Sequence, residues 1–367
     1  MVKIIIGGDF RAKETIDISF SEDLAGLLKS ADLRVCNFEA PVECDTPKAR
    51  KAGPSINQKA ESAQFLIENG FEVVLLANNH VMDFGEAGLE RTKKAFESVT
   101  TVGAGDAKEA YSLKVVNAGG KRIGFLSLVQ YEFGVLPSVD SDEYGAAWVN
   151  SLDVRDIITK GKKTVDCLIV CPHAGIECVD APLPEWRKVY RSFIKWGADA
   201  VVASHPHTPQ GWELFEGHYI FYSLGNMFFD GLEYGDHWHD SLLVELLVDE
   251  SITAKIHTIH FQGSLISIND SEVINKHISY LNSLLQDDEA YNAYIDKLCD
   301  DQYFTCCYRY LRGFGGVTTR MGFKLFVRLF GIMLLRKHDE LYLLNAIRCE
   351  SHRWLVERYI RNHYHVK

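Results

Sequence analysis

Five nearly continuous apolar runs, each ending in polar residues, recur in the first 207 residues and most restrict the possible fold. The runs are VKIIIGG, LRVCNFE, EVVLLANNH, DCLIVCPHAG and ADAVVASHPH. Such runs are typical of strands that are buried on both faces. Amphipathic segments at 86–98 and 182–197 lie between some of the runs and predict helices. The pattern therefore predicts an α/β fold.

Hairpin signals occur in the same region. LKVVNAGGKRIGFLSL places Asn-Ala-Gly-Gly between two β-like runs, and WELFEGHYIFYSLGN turns at Glu216-Gly217. Two further β-like runs, SLLVELLVD and TAKIHTIHF, follow. A mixture of helix-linked and hairpin-linked strands favours mixed sheets over a purely parallel sheet. We therefore expect residues 1–262 to form an α/β sandwich of mixed sheets that carries the catalytic site.

The pattern changes after residue 262, where the chain becomes mainly helical, so we expect a helical C-terminal region over 263–367. Its last part is basic: residues 318–367 contain ten Lys or Arg residues against four acidic ones, whereas the whole chain has a net charge of −11. The segment TTRMGFKLFVRLFGIMLLRKHDE mixes basic, aromatic and leucine residues. An interfacial membrane helix has this composition, and so does a helix packed on its own domain. Peripheral membrane contact through 318–367 is one expectation.

Charge and cysteine content restrict the class of protein. The negative net charge argues against nucleic acid as the main partner. The nine cysteines contain no paired CxxC motif, which favours free thiols in a reducing compartment. The N-terminal stretch lacks the pattern of a signal peptide, and no apolar run reaches membrane-spanning length. These features predict a cytoplasmic protein.

The polar residues after the five runs form a metal-ligand set. The carboxyl ends of strands in α/β folds meet where sites form. Divalent transition metals bind imidazole nitrogen together with carboxylate or carbonyl oxygen, and two such metals can share a bridging carboxylate. The predicted ligands are Asp9, Glu39, Asn79, His173, His205 and His207. His80 is then predicted as a general acid toward a leaving group, with Asp83 holding its tautomer.

His205 and His207 are separated by a single proline. Residues i and i+2 of an extended chain point the same way, and Pro206 favours extended geometry at His205. Both rings are therefore expected to reach one site. Taken singly, each predicted ligand has an ordinary alternative, such as a helix cap for Asp9 or a turn at Asn79. The repeated position at strand ends favours a metal site.

Six motifs occur in order over residues 7–226: GD, NFEAP, ANNHVMDFG, PHAG, SHPHTPQ and YSLGN. In these motifs the chain resembles the CapA-type (poly-γ-glutamate biosynthesis) proteins of the calcineurin-like metallophosphoesterase superfamily. The resemblance implies a four-layer αββα sandwich of two mixed sheets and one or two divalent metals, usually manganese, iron or zinc. It departs from the superfamily at Asp9-Phe10-Arg11, where the first motif is Asp-x-His, and at Glu39, where the bridging ligand is an aspartate.

Two further residues are candidate substrate contacts. Arg11 follows the first apolar run and could receive an anionic substrate, although a solvated loop is the alternative. Asn226, in YSLGN, would lie beside the site in the arrangement that the resemblance implies, although a tight turn explains the motif equally well. Both residues are predicted to bind substrate.

The preferred functional hypothesis is a metal-dependent hydrolase that acts on a phosphoester or related anionic substrate, small or polymeric, in polymer or capsule-type biosynthesis. One alternative keeps the metals but acts on a peptide or amide, as a peptidase or an α-carbon epimerase. The other is a non-catalytic accessory protein of polymer assembly. The pattern leaves the substrate, the number of metals and the oligomeric state open.

Overall fold

A computed structural model of the chain describes residues 1–15, 17–235, 237–313 and 340–364, with backbone only for 308–313. The elements up to residue 129 are β1 (Val2–Arg11), β2 (Ser19–Phe20), α1 (Glu22–Lys29), β3 (Leu33–Phe38), α2 (Ala60–Glu68), β4 (Val73–Leu75), α3 (Gly85–Ala95), β5 (Thr100–Val102), β6 (Ala104–Asp106), α4 (Ala107–Ala110), β7 (Lys114–Ala118) and β8 (Lys121–Val129).

The elements after residue 129 are β9 (Val135–Leu136), β10 (Tyr144–Ala147), α5 (Asp153–Lys162), β11 (Cys167–His173), α6 (Pro184–Trp196), β12 (Ala200–Val202), β13 (Trp212–Phe215), β14 (His218–Phe221), β15 (Asn226–Phe229), β16 (Asp240–Val248), β17 (Ile252–Gln262), β18 (Leu265–Ile268), α7 (Glu272–Gln286), α8 (Asp288–Gly313), α9 (Glu340–Arg348) and α10 (Glu350–Tyr364).

Two large mixed sheets dominate the fold. The first has nine strands in the order β2-β18-β17-β16-β1-β3-β4-β5, and β15 also pairs with β1. In it β1, β3, β4 and β5 run parallel, while β16 and β17 are antiparallel to their neighbours. The second has six strands in the order β13-β14-β12-β11-β8-β7, with a parallel centre and an antiparallel hairpin at each edge. A small sheet contains β6, β10 and β9.

The two large sheets pack face to face through alternate residues of their strands. Ile4 and Ile6 of β1 share one core with Phe125 of β8 and Ile169 of β11. Ile5, which points to the other face of β1, belongs instead to the core under α1, α2 and α3. A third core lies between the second sheet and helices α5 and α6. These cores confirm the predicted α/β fold with two mixed sheets, and the four-layer order stays a prediction.

The C-terminal helices pack on these same cores. Ile274, Ile278 and Leu281 of α7, spaced four and three residues apart, join the core between the sheets. Ile295 of α8 and Leu355 of α10 join the core under α5 and α6. The predicted helical C-terminal part is therefore confirmed for the described residues. The boundary at residue 262 stays a prediction, and β18 beyond it pairs with β17.

Two sequence-based expectations concern membrane contact by the C-terminal region and the state of the cysteines. Membrane contact is predicted through 318–367, and of that range 318–339 and 365–367 lie outside the described residues, so that expectation stays a prediction. Within the part of the chain that the structure describes, no helix combines the length and the apolar character needed to cross a bilayer. The nine cysteines lie in described residues, and none forms a disulfide.

Candidate metal centre

The predicted ligands meet where the two large sheets end at a common edge. The oxygen-bearing residues Asp9, Glu39 and Asn79 come from β1 and from the segments after β3 and β4 of the first sheet. The nitrogen-bearing residues come from the second sheet: His173 ends β11, and His205 and His207 follow β12. All six side chains are buried. The site is therefore assembled by sheet packing, with oxygen ligands from one sheet and nitrogen ligands from the other.

Asp9 lies inside β1 rather than at its end, because the strand continues to Arg11. Its neighbours in register are Asn37 on β3 and Asn226 on β15, and the register shifts beside Asp9 on both sides. Asn37 Nδ2 donates to Asp9 Oδ1 at 2.7 Å, and the backbone N–H of His205 donates to Oδ2 at 3.1 Å. Burial raises the pKa of Asp9, while the nearby His207 opposes that effect.

Glycine at position 8 permits the close approach of β15 to β1 beside Asp9. A Cβ atom on Gly8 would collide with the carbonyl oxygen of Gly225. That same oxygen accepts the backbone N–H of Asp9 at 3.0 Å. The glycine of the GD motif therefore has a packing reason, which brings Asn226 into register with the carboxylate.

Glu39 is fully buried directly after β3, and neither carboxylate oxygen has a hydrogen-bond partner among the described residues. Its Oε1 lies 3.6 Å from His207 Nε2 and 3.9 Å from His173 Nε2. Burial raises the pKa of Glu39 well above its usual range, and the charge of Asp9 raises it further. A buried carboxylate without donors is costly unless a cation neutralises it.

His173 joins the two groups of ligands. Its Nε2 lies 3.1 Å from Asn79 Oδ1, and its Nδ1 lies 3.1 Å from Ser204 Oγ. His173 Nδ1 is also 3.7 Å from Asp9 Oδ1. Burial holds the pKa of His173 well below its usual range, and the neighbouring histidines lower it further. The ring is therefore neutral, which is the form that binds metal.

The extended geometry expected at His205 and His207 is wrong. Their φ angles are +101° and +59°, so both backbones are in conformations that L-residues rarely adopt. The centroids of the two rings lie 6.1 Å apart, and the ring planes are tilted by 49°. His205 Nδ1 lies 3.1 Å from His173 Nε2, whereas His207 Nε2 faces Glu39. The two rings therefore contact different predicted ligands, and the assignment of one histidine to each of two metals stays a prediction.

The segment after His173 maintains this strained turn. Ala174 N donates to Ser204 O at 3.0 Å, and Cys178 N donates to Pro206 O at 2.8 Å. Gly175 has φ +143°, and a Cβ atom there would lie 2.8 Å from Cγ of Pro206. Backbone strain of this kind persists only where surrounding contacts determine it, and it is common at functional sites.

His80 and Asp83 are in contact, as the functional hypothesis requires. β4 ends at Leu75, so His80 lies in a turn five residues beyond the strand rather than at its end. His80 Nδ1 is 2.7 Å from Asp83 Oδ2, and Ile56 N donates to the same oxygen at 2.7 Å. Lys51, whose side chain is buried, pairs with Asp83 Oδ1. Burial and the Lys51 charge lower the pKa of His80. Their roles in catalysis stay predictions.

The two predicted substrate contacts are engaged by the protein itself. Arg11 is buried, donates to the backbone carbonyls of Asp230 and Asn57, and has Nη1 3.6 Å from Asp230 Oδ1. Asn226 is fully buried, with Oδ1 2.9 Å from His207 Nδ1 and Nδ2 donating to Trp238 O at 3.0 Å. In this structure Asn226 positions a predicted ligand, and substrate binding by either residue stays a prediction.

Sequence reasoning missed Asn37, Ser204 and Gln130 as neighbours of the site. Gln130 had the same signal as the predicted ligands, since it follows the apolar run IGFLSLV where β8 ends. The hairpin pattern explains that run as one strand of a pair and does not by itself point to a site at its polar end. Lys51 follows the second apolar run and is a possible contact for an anionic substrate by sequence, but its salt bridge with Asp83 depends on tertiary packing.

The residues fit a divalent cation. Ligand atoms of Asp9, Glu39 and His173 all lie within 4.8 Å of one another, and all three residues are buried. Carboxylate and imidazole ligands of this type are those of zinc, manganese and iron sites. The orphaned oxygens of Glu39 are the observation that a cation explains best, because a bound ion supplies the missing partner.

Comparison with known protein families shows which family the chain belongs to. The sequence model of the family described as "Bacterial capsule synthesis protein PGA_cap" matches residues 7–231. The chain belongs to this family. The prediction of a CapA-type protein is thereby confirmed. The matched range contains every predicted site residue, and it ends before β16 and the C-terminal helices.

Curated relatives carry names from the same area of biology. The chain is 32% identical over 214 residues to "Capsule biosynthesis protein CapA" of Bacillus anthracis, which covers 55% of this chain and 52% of that protein. It is 32% identical over 220 residues to "PGA biosynthesis protein CapA" of Bacillus subtilis, which covers 56% and 55%. The chain thus spans about half the length of the curated relatives it matches.

One further relative and one solved structure also align with the chain. "Probable polyglutamine synthesis accessory protein Rv0574c" of Mycobacterium tuberculosis is 27% identical over 232 residues, covering 59% of this chain and 61% of that protein. The solved structure of a putative 5'-nucleotidase from Staphylococcus aureus aligns with a TM-score of 0.46 and 15% identity, covering 78% of this chain and 58% of that one.

Proposed function

We propose that this chain is a metal-dependent hydrolase that acts on a phosphoester or a related anionic substrate in polymer or capsule-type biosynthesis. The observation that carries the proposal is Glu39, a buried carboxylate with no hydrogen-bond partner among the described residues, set between Asp9, His173 and His207. The names of the CapA relatives support the biological setting.

The proposed ligands are Asp9, Glu39, Asn79, His173, His205 and His207, for one or two ions of manganese, iron or zinc. When bound, such ions supply Lewis-acid polarisation of the substrate and lower the pKa of water. The chain's own contribution begins with orientation. Asn226 and Asn37 hold His207 and Asp9, and Ser204 holds His173, so the ligand atoms face one another without rearrangement.

His80 is the proposed proton-transfer group. Asp83 engages Nδ1, which turns Nε2 away from that carboxylate. Because burial and Lys51 lower the pKa of His80, the ring is neutral at pH 7 and can accept a proton at Nε2. During hydrolysis that proton would come from the attacking water, and the ring could then deliver it to the leaving group.

The test is turnover of a phosphoester panel by the purified chain with added Mn²⁺, Zn²⁺ or Fe²⁺. His80→Asn should lower kcat by about 10²–10⁴-fold while leaving metal content unchanged. His218→Asn is the matched control, because His218 lies on β14 and contacts the backbone carbonyl of Asp199 outside the site. Bound metal without hydrolysis of any phosphoester, or equal rates for wild type and His80→Asn, would count against the proposal.

The same site suits an amide carbonyl, so a peptidase or α-carbon epimerase is the second candidate. The observation in its favour is again the neutral His80 beside Asp83, which can remove a proton from carbon as well as transfer one to oxygen. Incubation with peptides in D₂O separates the two reactions, since epimerisation introduces deuterium at Cα without cleavage.

An accessory role without catalysis is favoured by one comparison, the relative named as a polyglutamine synthesis accessory protein. Elemental analysis after gentle purification distinguishes this accessory role from a role that needs the metal centre. Stoichiometric metal that is lost in a His205→Ala/His207→Ala variant supports the metal centre, whereas absence of metal from the wild-type chain supports the accessory role.

A further inference from the structure

The first turn of α10 is buried against the loop that follows β8. Glu350 begins the helix and is only 3% exposed. Its carboxylate accepts three hydrogen bonds, from Tyr131 N at 3.1 Å, Trp148 Nε1 at 3.3 Å and Asn150 Nδ2 at 2.7 Å. Tyr131 lies in the loop after β8, and Trp148 and Asn150 follow β10, so the helix is fixed to these two segments rather than to the outer helices alone.

The next residue, Ser351, is fully buried and has two partners. Its hydroxyl accepts a hydrogen bond from Trp186 Nε1 at 2.8 Å and donates to Gln130 Oε1 at 2.6 Å. Trp186 belongs to α6, so Ser351 joins three separate parts of the chain. A buried hydroxyl with both functions satisfied holds its neighbours in defined positions.

Gln130 lies between Ser351 and the predicted ligand His205. Its Oε1 also accepts the backbone N–H of Gly175 at 3.2 Å, and its Nε2 donates to Glu132 Oε1 at 2.6 Å. The same Nε2 lies 2.9 Å from Nε2 of His205. This is the ring nitrogen of His205 that faces away from His173, whose contact is with Nδ1.

We propose that the C-terminal helix α10 is part of the metal centre, with Ser351 fixing the amide of Gln130 and Gln130 orienting the His205 ring. The inference rests on the metal centre proposed above, and it assigns two positioning residues that contact neither substrate nor ion. Ser351 lies outside the part of the chain that the family model matches.

The chemistry of the three groups suits this role. An imidazole that binds a metal through one nitrogen needs a defined partner on the other. A carboxamide carries both a donor and an acceptor, and a serine hydroxyl can face either one. As the amide stands, Gln130 Nε2 faces Nε2 of His205. An ion at His205 Nδ1 would make Nε2 of that ring the donor, so the Gln130 amide would then turn its oxygen to the ring and give up its contact with Gly175 N–H.

The alternative is that α10 only packs against its neighbours, and the helix itself provides the control. Arg358 Nε donates to Asp296 at 2.7 Å, and Arg358 Nη2 donates to Asn292 at 3.0 Å. Both partners lie on α8, away from the predicted ligands. Arg358→Ala removes a docking contact of the same helix without touching Gln130.

The test measures Mn²⁺ and Zn²⁺ affinity of the full chain by chelator competition, with no substrate present. Ser351→Ala should weaken binding about tenfold, the lower end of what loss of such a partner costs. Arg358→Ala should leave the affinity unchanged, although it lowers the melting temperature. In a Gln130→Ala background, Ser351→Ala should cause no additional loss, because its effect passes through that amide.

The possible outcomes are distinguishable. Unchanged affinity in Ser351→Ala, equal losses in Ser351→Ala and Arg358→Ala, or additive losses with Gln130→Ala would each overturn the positioning role while the metal centre stands. Failure of the wild-type chain to bind either ion would overturn the centre itself. If Ser351→Ala does not fold, Gln130→Asn decides, since the shorter amide retains its chemistry but should lose affinity by a similar factor.

Discussion

Asn226 Oδ1 lies 2.9 Å from Nδ1 of His207, and this contact orients the ring so that Nε2 faces Glu39 Oε1 at 3.6 Å. The amide is itself fixed, because its Nδ2 donates to the backbone carbonyl of Trp238 at 3.0 Å. Asn226 begins β15 in register with Asp9. The pairing of β15 with β1 therefore sets the orientation of a predicted ligand on a different segment.

Replacing Asn226 should weaken metal binding through His207. Asn226→Leu removes the acceptor, so we expect a loss of affinity of about 10–100-fold. Asn226→Asp retains an acceptor at the same position and should lose less. Chelator competition with Zn²⁺ measures both. Equal losses of affinity in Asn226→Leu and Asn226→Asp would indicate that the pairing of β15 with β1, rather than the contact with Nδ1, determines metal affinity.

Glu39 should have opposite effects on the protein with and without metal. In the metal-free protein its carboxylate is buried without donors. Glu39→Met replaces it with an unbranched apolar chain of similar length and should raise the free energy of unfolding by about 1–3 kcal/mol in EDTA. The same variant should lose the stabilisation by excess metal, which is about 2.7 kcal/mol at a concentration of 100 Kd.

Thermal and denaturant unfolding of Glu39→Met in EDTA and in Mn²⁺ measure the two effects. Glu213→Met is the control, because Glu213 is a buried carboxylate that accepts hydrogen bonds from Arg187 and Arg191. Its loss should destabilise the protein in both conditions. If Glu39→Met also destabilises the protein in EDTA, the carboxylate has a structural partner and the cation is not needed to explain it.

Asp83 should contribute to stability as well as to the orientation of His80. Asp83→Asn leaves the buried Lys51 without its anion, so we expect a loss of about 3–5 kcal/mol in the free energy of unfolding. Lys51→Met combined with Asp83→Asn removes both charges and should recover most of that loss. Urea unfolding of the single and double variants tests this. Equal free energies of unfolding for wild type and Asp83→Asn would show that the salt bridge does not stabilise the fold.

The periodic part of the fold was accessible from the sequence, because burial of a strand on both faces leaves a continuous apolar run. The same runs pointed to Asp9, Glu39 and His173, whose side chains the structure brings together. The predicted position of these polar residues at strand ends was only approximate. β1 continues past Asp9, and His80 lies five residues beyond β4, since polar side chains can follow a strand or interrupt it.

The local conformation at His205 and His207 could not be predicted from residue preferences. Pro206 argued for extended geometry, yet both histidines have positive φ angles. The conformation depends on Gly175 and on hydrogen bonds from the segment after β11, which are tertiary contacts. The link from Ser351 to Gln130 was inaccessible for the same reason, because 221 positions separate the two residues.

Acid should release the contacts of Glu213, which connect α6 to β13 and β14. Burial raises the pKa of Glu213, but hydrogen bonds from Arg191, Tyr222 and Arg187 outweigh it and lower the pKa below the usual value of 4.5. The native state therefore binds this proton less readily than the unfolded state. The stabilisation is complete above pH 4.5 and is lost as the pH falls through the native pKa, by up to about 1.4 kcal/mol per pH unit.

Urea unfolding of wild type and Glu213→Gln between pH 3 and pH 7 tests this dependence. The variant should be less stable at pH 7, and the difference should narrow as the pH falls below 4.5. Glu272→Gln is the control, because its carboxylate is largely exposed and pairs with Lys276 one turn away. It should differ little from wild type at any pH. A constant difference for Glu213→Gln across the range would show that Glu213 stabilises the fold by packing, since protonation would then leave its contribution unchanged.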